Sequence, residues 1–365
     1  MSPVRVALLT LLTLGCSSSP GDARRDSDSG AQDSGAQDSG ADVGVETGST
    51  ADGGGVEPIS TPPNTWTWVP FPGTTCGNGT TAGIGVNAAA EPKDLIVSFE
   101  GGGACWSLET CFTTPSAVNI GETYDATKLA EDTAANVIDR SPGAFQEHAT
   151  VVYIPYCTGD LHAGRHVMEY DRAHSIHHTG ATNTQAFVDA LRATVPKPAH
   201  VWVMGSSAGG FGATLNLHRF TEAWPSAEVH LLQDSSPFVE VQANYEVWQA
   251  AWELAFPPGC VGCQTSFPAV MSAVGAAHPN TRIGLLHYDN DATIRLFFGY
   301  SGSLVPATDA LLATQYARPN TKYFVAAGDK HTMLGETATL SVKGVSLSGW
   351  FAGWLLGAPS WQSVR

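Results

Sequence analysis

Apolar residues come in short runs along most of this chain. Runs at 95–99, 150–155, 200–204, 229–232, 283–287 and 323–326 are each flanked by turn residues and read as buried strands. Between them, stretches with helical spacing cover 184–193, 212–220, 245–256, 308–317 and 346–356. Strands alternating with helices predict an α/β fold, a mostly parallel central sheet with helices on both faces. One domain over 64–365 is the economical reading.

The first 63 residues lack this pattern. Arg5, an apolar run over 6–14 and the small-residue end Leu14-Gly15-Cys16 read as an export signal at 1–16, too short to span a bilayer as a stable helix. Cys16 resembles the lipidated cysteine of bacterial lipoproteins, and Thr13 stands where such signals usually carry leucine. Two outcomes follow: a lipoprotein of the bacterial cell envelope anchored through Cys16, or a secreted protein. Residues 17–63 contain the repeat Ala-Gln-Asp-Ser-Gly at 31–35 and 36–40, and nine acids against Arg24 and Arg25. With almost no large apolar side chains they predict an extended acidic linker. No later stretch reaches the apolar length of a membrane span, so the membrane enters only through the anchor.

Composition narrows the partners. With 43% hydrophobic residues the chain can bury a large core, and its net charge of -16 argues against nucleic acid, which needs a basic face. After Cys16 six cysteines remain, and export favours their pairing. Cys105 and Cys111 are close in sequence, as are Cys260 and Cys263, which leaves Cys76 with Cys157; fifteen connectivities remain formally open. A zinc site on Cys260 and Cys263 lacks a second cysteine pair of suitable spacing.

The chemistry concentrates where the 200–204 run meets Gly205-Ser206-Ser207-Ala208-Gly209-Gly210. Gly-x-Ser-x-Gly between a strand and a helix is the pattern of a nucleophile elbow, with Ser207 at its tip. Its small neighbours let the backbone pass closely, and the helix beneath would direct free N–H groups at developing negative charge. A second cluster, Gly101-Gly102-Gly103 after the 95–99 run, suits an oxyanion hole whose donors are the N–H of Gly102 or Gly103 and that of Ala208. It lacks the Lys-Ser/Thr of a phosphate-binding P-loop. His162, His166, His174, His177 and His178 form a group after a strand end. No Glu stands in a His-Glu-x-x-His position, so the group reads as pocket lining near the site mouth, where Asp160 and His162 contact a polar substrate. Asp234, at another strand end, reads as structural or substrate-binding.

Glu100-Gly101-Gly102-Gly103 with a following Cys-Trp, then Pro155-Tyr156-Cys157-Thr158-Gly159-Asp160, then Gly205 to Gly210, resembles the pectin acetylesterase family, which includes the Notum carboxylesterases. The resemblance implies an α/β-hydrolase fold and an ester hydrolase with a Ser-His-Asp triad, Ser207 being the nucleophile. In the chain order Ser, Asp, His, Asp291 is the first choice of acid and Asp289 the alternative, with one of the two expected to cap the following helix. His331, in Gly328-Asp329-Lys330-His331, is the base. Family members carry Trp or Tyr near the glycine run; here Ala104 holds one such position and Trp106 is displaced, as a candidate substrate contact. The implied protein is a monomeric, exported serine carboxylesterase that deacetylates an acetylated polysaccharide such as pectin, needing no metal or cofactor. The alternatives are a lipase-like or polyester-depolymerising esterase, and a surface lipoprotein that binds carbohydrate without turnover.

Overall fold

A computed structural model describes residues 56–136 and 138–365. The expected export signal with Cys16, and the expected linker as far as residue 55, lie outside the described residues. The last residues assigned to that linker lie on the body: Ile59 N–H donates to Thr194 Oγ1 at 2.8 Å, and Pro63 bridges to Ala88.

The main sheet has eight strands. They are β1 (Trp66–Thr75), β2 (Thr81–Asn87), β3 (Asp94–Phe99) and β4 (Ala149–Ile154) and, beyond a separate hairpin of β5 (His166–Asp171) and β6 (His174–His178), β7 (His200–Ser206), β8 (Glu228–Asp234), β9 (Ile283–Tyr288) and β10 (Thr321–Ala326). Their spatial order is β1-β2-β4-β3-β7-β8-β9-β10. From β4 to β10 all neighbours are parallel, and β2 and β1 extend one edge antiparallel. β4 and β9 are buried along their whole length, as parallel strands covered on both faces must be. The apolar pattern does not reveal β1 and β2. Pro70 and Pro72 interrupt β1, which an edge strand tolerates, and Gly83 and Gly85 break up the side chains of β2.

The helices are α1 (Ala126–Thr133), α2 (Gly180–Thr194), α3 (Ala208–Leu215), α4 (Leu217–Ala223), α5 (Tyr245–Trp252), α6 (Pro268–Ala277), α7 (Ala292–Phe298), α8 (Val305–Thr314) and α9 (Leu347–Leu356). The single helix expected over 212–220 is two, broken at Asn216, whose Nδ2 donates to the Gly212 and His162 carbonyls. The sequence pattern also misses α6, a run of small and apolar residues with no polar stripe. The histidine stretch expected as pocket lining near the site mouth carries the β5–β6 hairpin.

Two features of this arrangement place the site. From β3 the chain crosses to β4 on one side, whereas β7 lies on the other, so right-handed crossovers divide at β3 and open a crevice at the carboxyl ends of β3 and β7. Disulfides Cys76–Cys157, Cys105–Cys111 and Cys260–Cys263 resolve the open pairings. The first ties the end of the β1 hairpin to the loop after β4, and the second closes the loop that follows the glycine run.

Candidate active site

β7 ends at Ser206, and α3 begins at Ala208. Between them Ser207 has φ 55° and ψ −125°, a backbone conformation that non-glycine residues rarely adopt and that a sharp strand-to-helix turn imposes. Small neighbours are a steric requirement here. A Cβ on Gly205 would stand 2.3 Å from the Gly209 carbonyl carbon, and one on Gly209 2.1 Å from the Phe99 carbonyl oxygen.

The glycine run after β3 lies against this turn: a Cβ on Gly101 would be 3.2 Å from the Ser207 Cβ and 2.4 Å from the Ser206 oxygen. Gly102 and Gly103 have φ +137° and +75°, which only glycine adopts without strain. The loop is pinned to 116–118 by Ala104 N–H to the Ser116 carbonyl and Val118 N–H to the Gly102 carbonyl, a pairing that leaves the N–H groups of Gly102 and Gly103 unused among the described residues. Ala208 is the first residue of α3, where N–H groups have no partner within the helix. Thus the three expected donors sit on the two segments that meet at Ser207.

His331 and Asp291 are brought together across 40 residues of sequence. His331 Nδ1–H donates to Asp291 Oδ2 at 2.7 Å, while Asp291 Oδ1 caps α7 by accepting the N–H groups of Thr293 and Ile294 at 2.9 and 3.0 Å. The His331 Nε2 is buried and has no partner among the described residues. Ser207 N–H donates to the Asp234 carbonyl, and Thr332 N–H donates to Ser235 Oγ, so the serine and histidine segments meet at the end of β8. Asp289, the alternative acid, has another engagement. Its Oδ1 accepts Gly328 N–H at 3.2 Å, and its Oδ2 faces Arg365 at 3.4 Å.

The expected substrate contacts Asp160 and His162 are corrected by burial. Asp160 is fully buried and its carboxylate is taken up by Thr158 Oγ1–H and the N–H groups of Gly164 and Gly180. His162 donates from Nε2 to the Glu100 carbonyl at 2.8 Å, and burial pushes its pKa down to about 4, so it is a neutral donor beneath the glycine loop. Both side chains are scaffold. Trp106 is half-buried among Trp248, Trp252 and Phe297, and the Phe297 ring reaches Gly103, within 3.2 Å of a Cβ placed there. Phe297 escaped the sequence reading, because nothing local to α7 shows that one of its side chains reaches the glycine run.

Glu100 carries the glycine run and is itself buried. Its Oε2 accepts Tyr156 N–H at 2.7 Å, and desolvation raises its pKa to about 8. A folded-state pKa above the ordinary 4.5 makes the fold most stable below 4.5, with stability lost as pH rises from there to about 8. Glu100→Gln keeps an acceptor without the charge. Relative to the variant, the wild-type melting temperature is expected to drop by roughly 5 °C between pH 5 and pH 8 in a thermal-shift titration. A difference that stays constant across this range would contradict the assignment.

A mostly parallel eight-stranded sheet with a serine on the strained turn after its central strand defines an α/β-hydrolase. A model of the pectinacetylesterase family matches residues 69–256, more than half of the chain, and the chain belongs to this family. It is 26% identical over 175 residues to the palmitoleoyl-protein carboxylesterase NOTUM of Homo sapiens, which covers 46% of this chain and 34% of that protein. The NOTUM of Schmidtea mediterranea is 26% identical over 188 residues, covering 47% of this chain and 35% of its own. The chain thus spans about a third of the length of the curated relatives it matches. The solved structure of the Wnt deacylase Notum from Drosophila superposes with a TM-score of 0.59 at 17% identity, covering 82% of this chain and 95% of that one, a likeness of fold.

Proposed function

We propose that this chain is an exported serine carboxylesterase that removes short acyl groups, acetyl above all, from an acetylated polysaccharide such as pectin. The observation that carries the reading is the hydrogen bond between His331 Nδ1 and Asp291, with Nε2 left without a partner among the described residues, on a loop that meets the Ser207 segment at the end of β8. In this reading Nε2 takes the proton of Ser207 Oγ as the oxygen attacks the ester carbonyl, and Asp291 holds the tautomer that leaves Nε2 free. The N–H groups of Ala208 and of Gly102 or Gly103 receive the oxyanion. The imidazolium then protonates the leaving alcohol, and water activated by Nε2 clears the acyl-enzyme. The alternative acid Asp289 is set aside, its carboxylate being spent on Gly328 and Arg365.

The family supports acetyl as the acyl group removed, and so does Phe297, whose ring stands against Gly103 where an acyl chain would begin. Trp106, packed on Phe297, is proposed as a wall of the same site. The curated relatives are named for hydrolysing palmitoleoyl esters, which makes a longer chain the second reading. The three disulfides support export; a lipid on Cys16, an acidic stalk that begins at 17 and ends before Ile59 docks on the body, a catalytic domain that includes 64–365 and a monomeric state belong to the same proposal. Among the described residues no helix is long and apolar enough to cross a membrane.

The test compares p-nitrophenyl acetate with p-nitrophenyl palmitate, measures acetate release from acetylated pectin, and locates a fluorophosphonate label by mass spectrometry. Cleavage of the acetate, release from pectin and a label on Ser207 are expected. Preference for the palmitate would favour a lipase-like enzyme, and neither turnover nor label would leave the carbohydrate-binding reading.

A further inference from the structure

Three consecutive residues at the end of β8 grip both halves of the proposed site. On the serine side, the Asp234 carbonyl accepts Ser207 N–H at 2.8 Å, and Ser236 Oγ–H donates to the Ser207 carbonyl at 2.7 Å. On the histidine side, Ser235 Oγ accepts Thr332 N–H at 2.9 Å, and the Asp234 carboxylate accepts the N–H groups of Met333 and Leu334 at 2.8 and 3.1 Å. Ser206 Oγ–H, next to the nucleophile, donates to the same carboxylate at 2.9 Å. All three residues of the grip are 0% exposed, so none of them touches a substrate.

The backbone shows what the grip holds in place. Ser207, Ser235 and Thr332 have φ of 55°, 53° and 65°, and all three are non-glycine residues in the left-handed region. Such conformations persist only where surrounding contacts over-determine them, and here Thr332 is bonded to Ser235 and Ser207 to the residues on either side of Ser235. A carboxylate is costly to bury unless donors surround it. Asp234 meets that condition only while the histidine loop and the β7 end are both in place.

We propose that Asp234, Ser235 and Ser236 are positioning residues that set the approach of His331 to Ser207, acting through those two and not on the substrate. The proposal rests on the esterase reading above. Misplacement of about 1 Å at a reacting pair costs about 100-fold in rate. Asp234→Asn turns one carboxylate oxygen into an N–H₂ group that faces donors, either Met333 N–H and Ser235 Oγ–H at Oδ1 or Leu334 N–H and Ser206 Oγ–H at Oδ2, and Ser235→Ala removes the acceptor of Thr332 N–H together with a 3.4 Å donation to Asp234.

Both variants are made in the full chain, and kcat is expressed per Ser207 titrated with fluorophosphonate, so that unfolded protein does not count. Expected with p-nitrophenyl acetate are a kcat loss of about 100-fold for Asp234→Asn and about tenfold for Ser235→Ala, with KM within threefold. The low-field proton signal of His331 Nδ1–H should broaden in both, which a merely structural role would not produce. Should Asp234→Asn fail to fold, Ser235→Ala decides by the same readouts. A kcat per titrated site within threefold of wild type, or a loss confined to KM, overturns the proposal. In that case an inactive Ser207→Ala shows that only the grip has failed, whereas an active Ser207→Ala removes the esterase reading beneath it.

Discussion

Ser207→Ala is expected to lower kcat on p-nitrophenyl acetate by roughly 10⁴ to 10⁶-fold while leaving the melting temperature where it is. The stability half of this expectation comes from the hydrogen bonds. Among the described residues the Ser207 turn is held by its backbone, through the N–H to Asp234 and the carbonyl from Ser236, and alanine retains both. Alanine also adopts φ 55° at no greater cost than serine. The residual rate would come from the oxyanion donors, which a missing nucleophile does not disturb. A variant that keeps more than a hundredth of the wild-type kcat would remove Ser207 from the chemistry.

Asp291→Asn is expected to cost about 10⁴-fold in kcat, nearly as much as losing the nucleophile, and little stability. The two carboxylate oxygens have separate duties, Oδ1 capping α7 and Oδ2 accepting from His331. Asparagine caps helices as well as aspartate does, so its carbonyl oxygen can take over the first duty. Its amide then faces Nδ1 as a donor, which forces the proton onto Nε2 and turns the base away from its task. Asp289→Asn provides the contrast. That side chain braces Gly328 and Arg365, and kcat should remain within a few-fold of wild type. Steady-state kinetics of the pair, with melting curves, separates the acid from its neighbour two residues away.

The difference between those two aspartates shows where sequence reading reaches its limit here. The elbow was legible because much of its constraint is local: a serine, a turn and Gly205, whose Cβ would meet the backbone of Gly209 in the same motif. The parallel strands were legible for a similar reason, since burial on both faces writes itself as a continuous apolar run. Asp289 and Asp291 share one strand end, and only the fold shows which of them reaches a histidine 40 residues on. Asp160 and His162 misled for the opposite reason. Polar residues after a strand end look like the mouth of a site, yet the loop turns inward and finds partners at Gly164, Gly180 and Glu100. Asp234 was visible as a carboxylate at a strand end, but its donors lie on segments far apart in the chain.

The double duty of Asp291 also links two properties that are usually varied separately. Helix α7 begins on one oxygen of this carboxylate and ends with Phe297 and Phe298, and Phe297 stands against Gly103. An acyl chain thick enough to push that ring aside would lean on a rod of about two turns whose other end is fastened to the carboxylate that accepts from His331 Nδ1. Selection by size would then be felt as a slower proton transfer, and an oversized ester would bind before it failed to react.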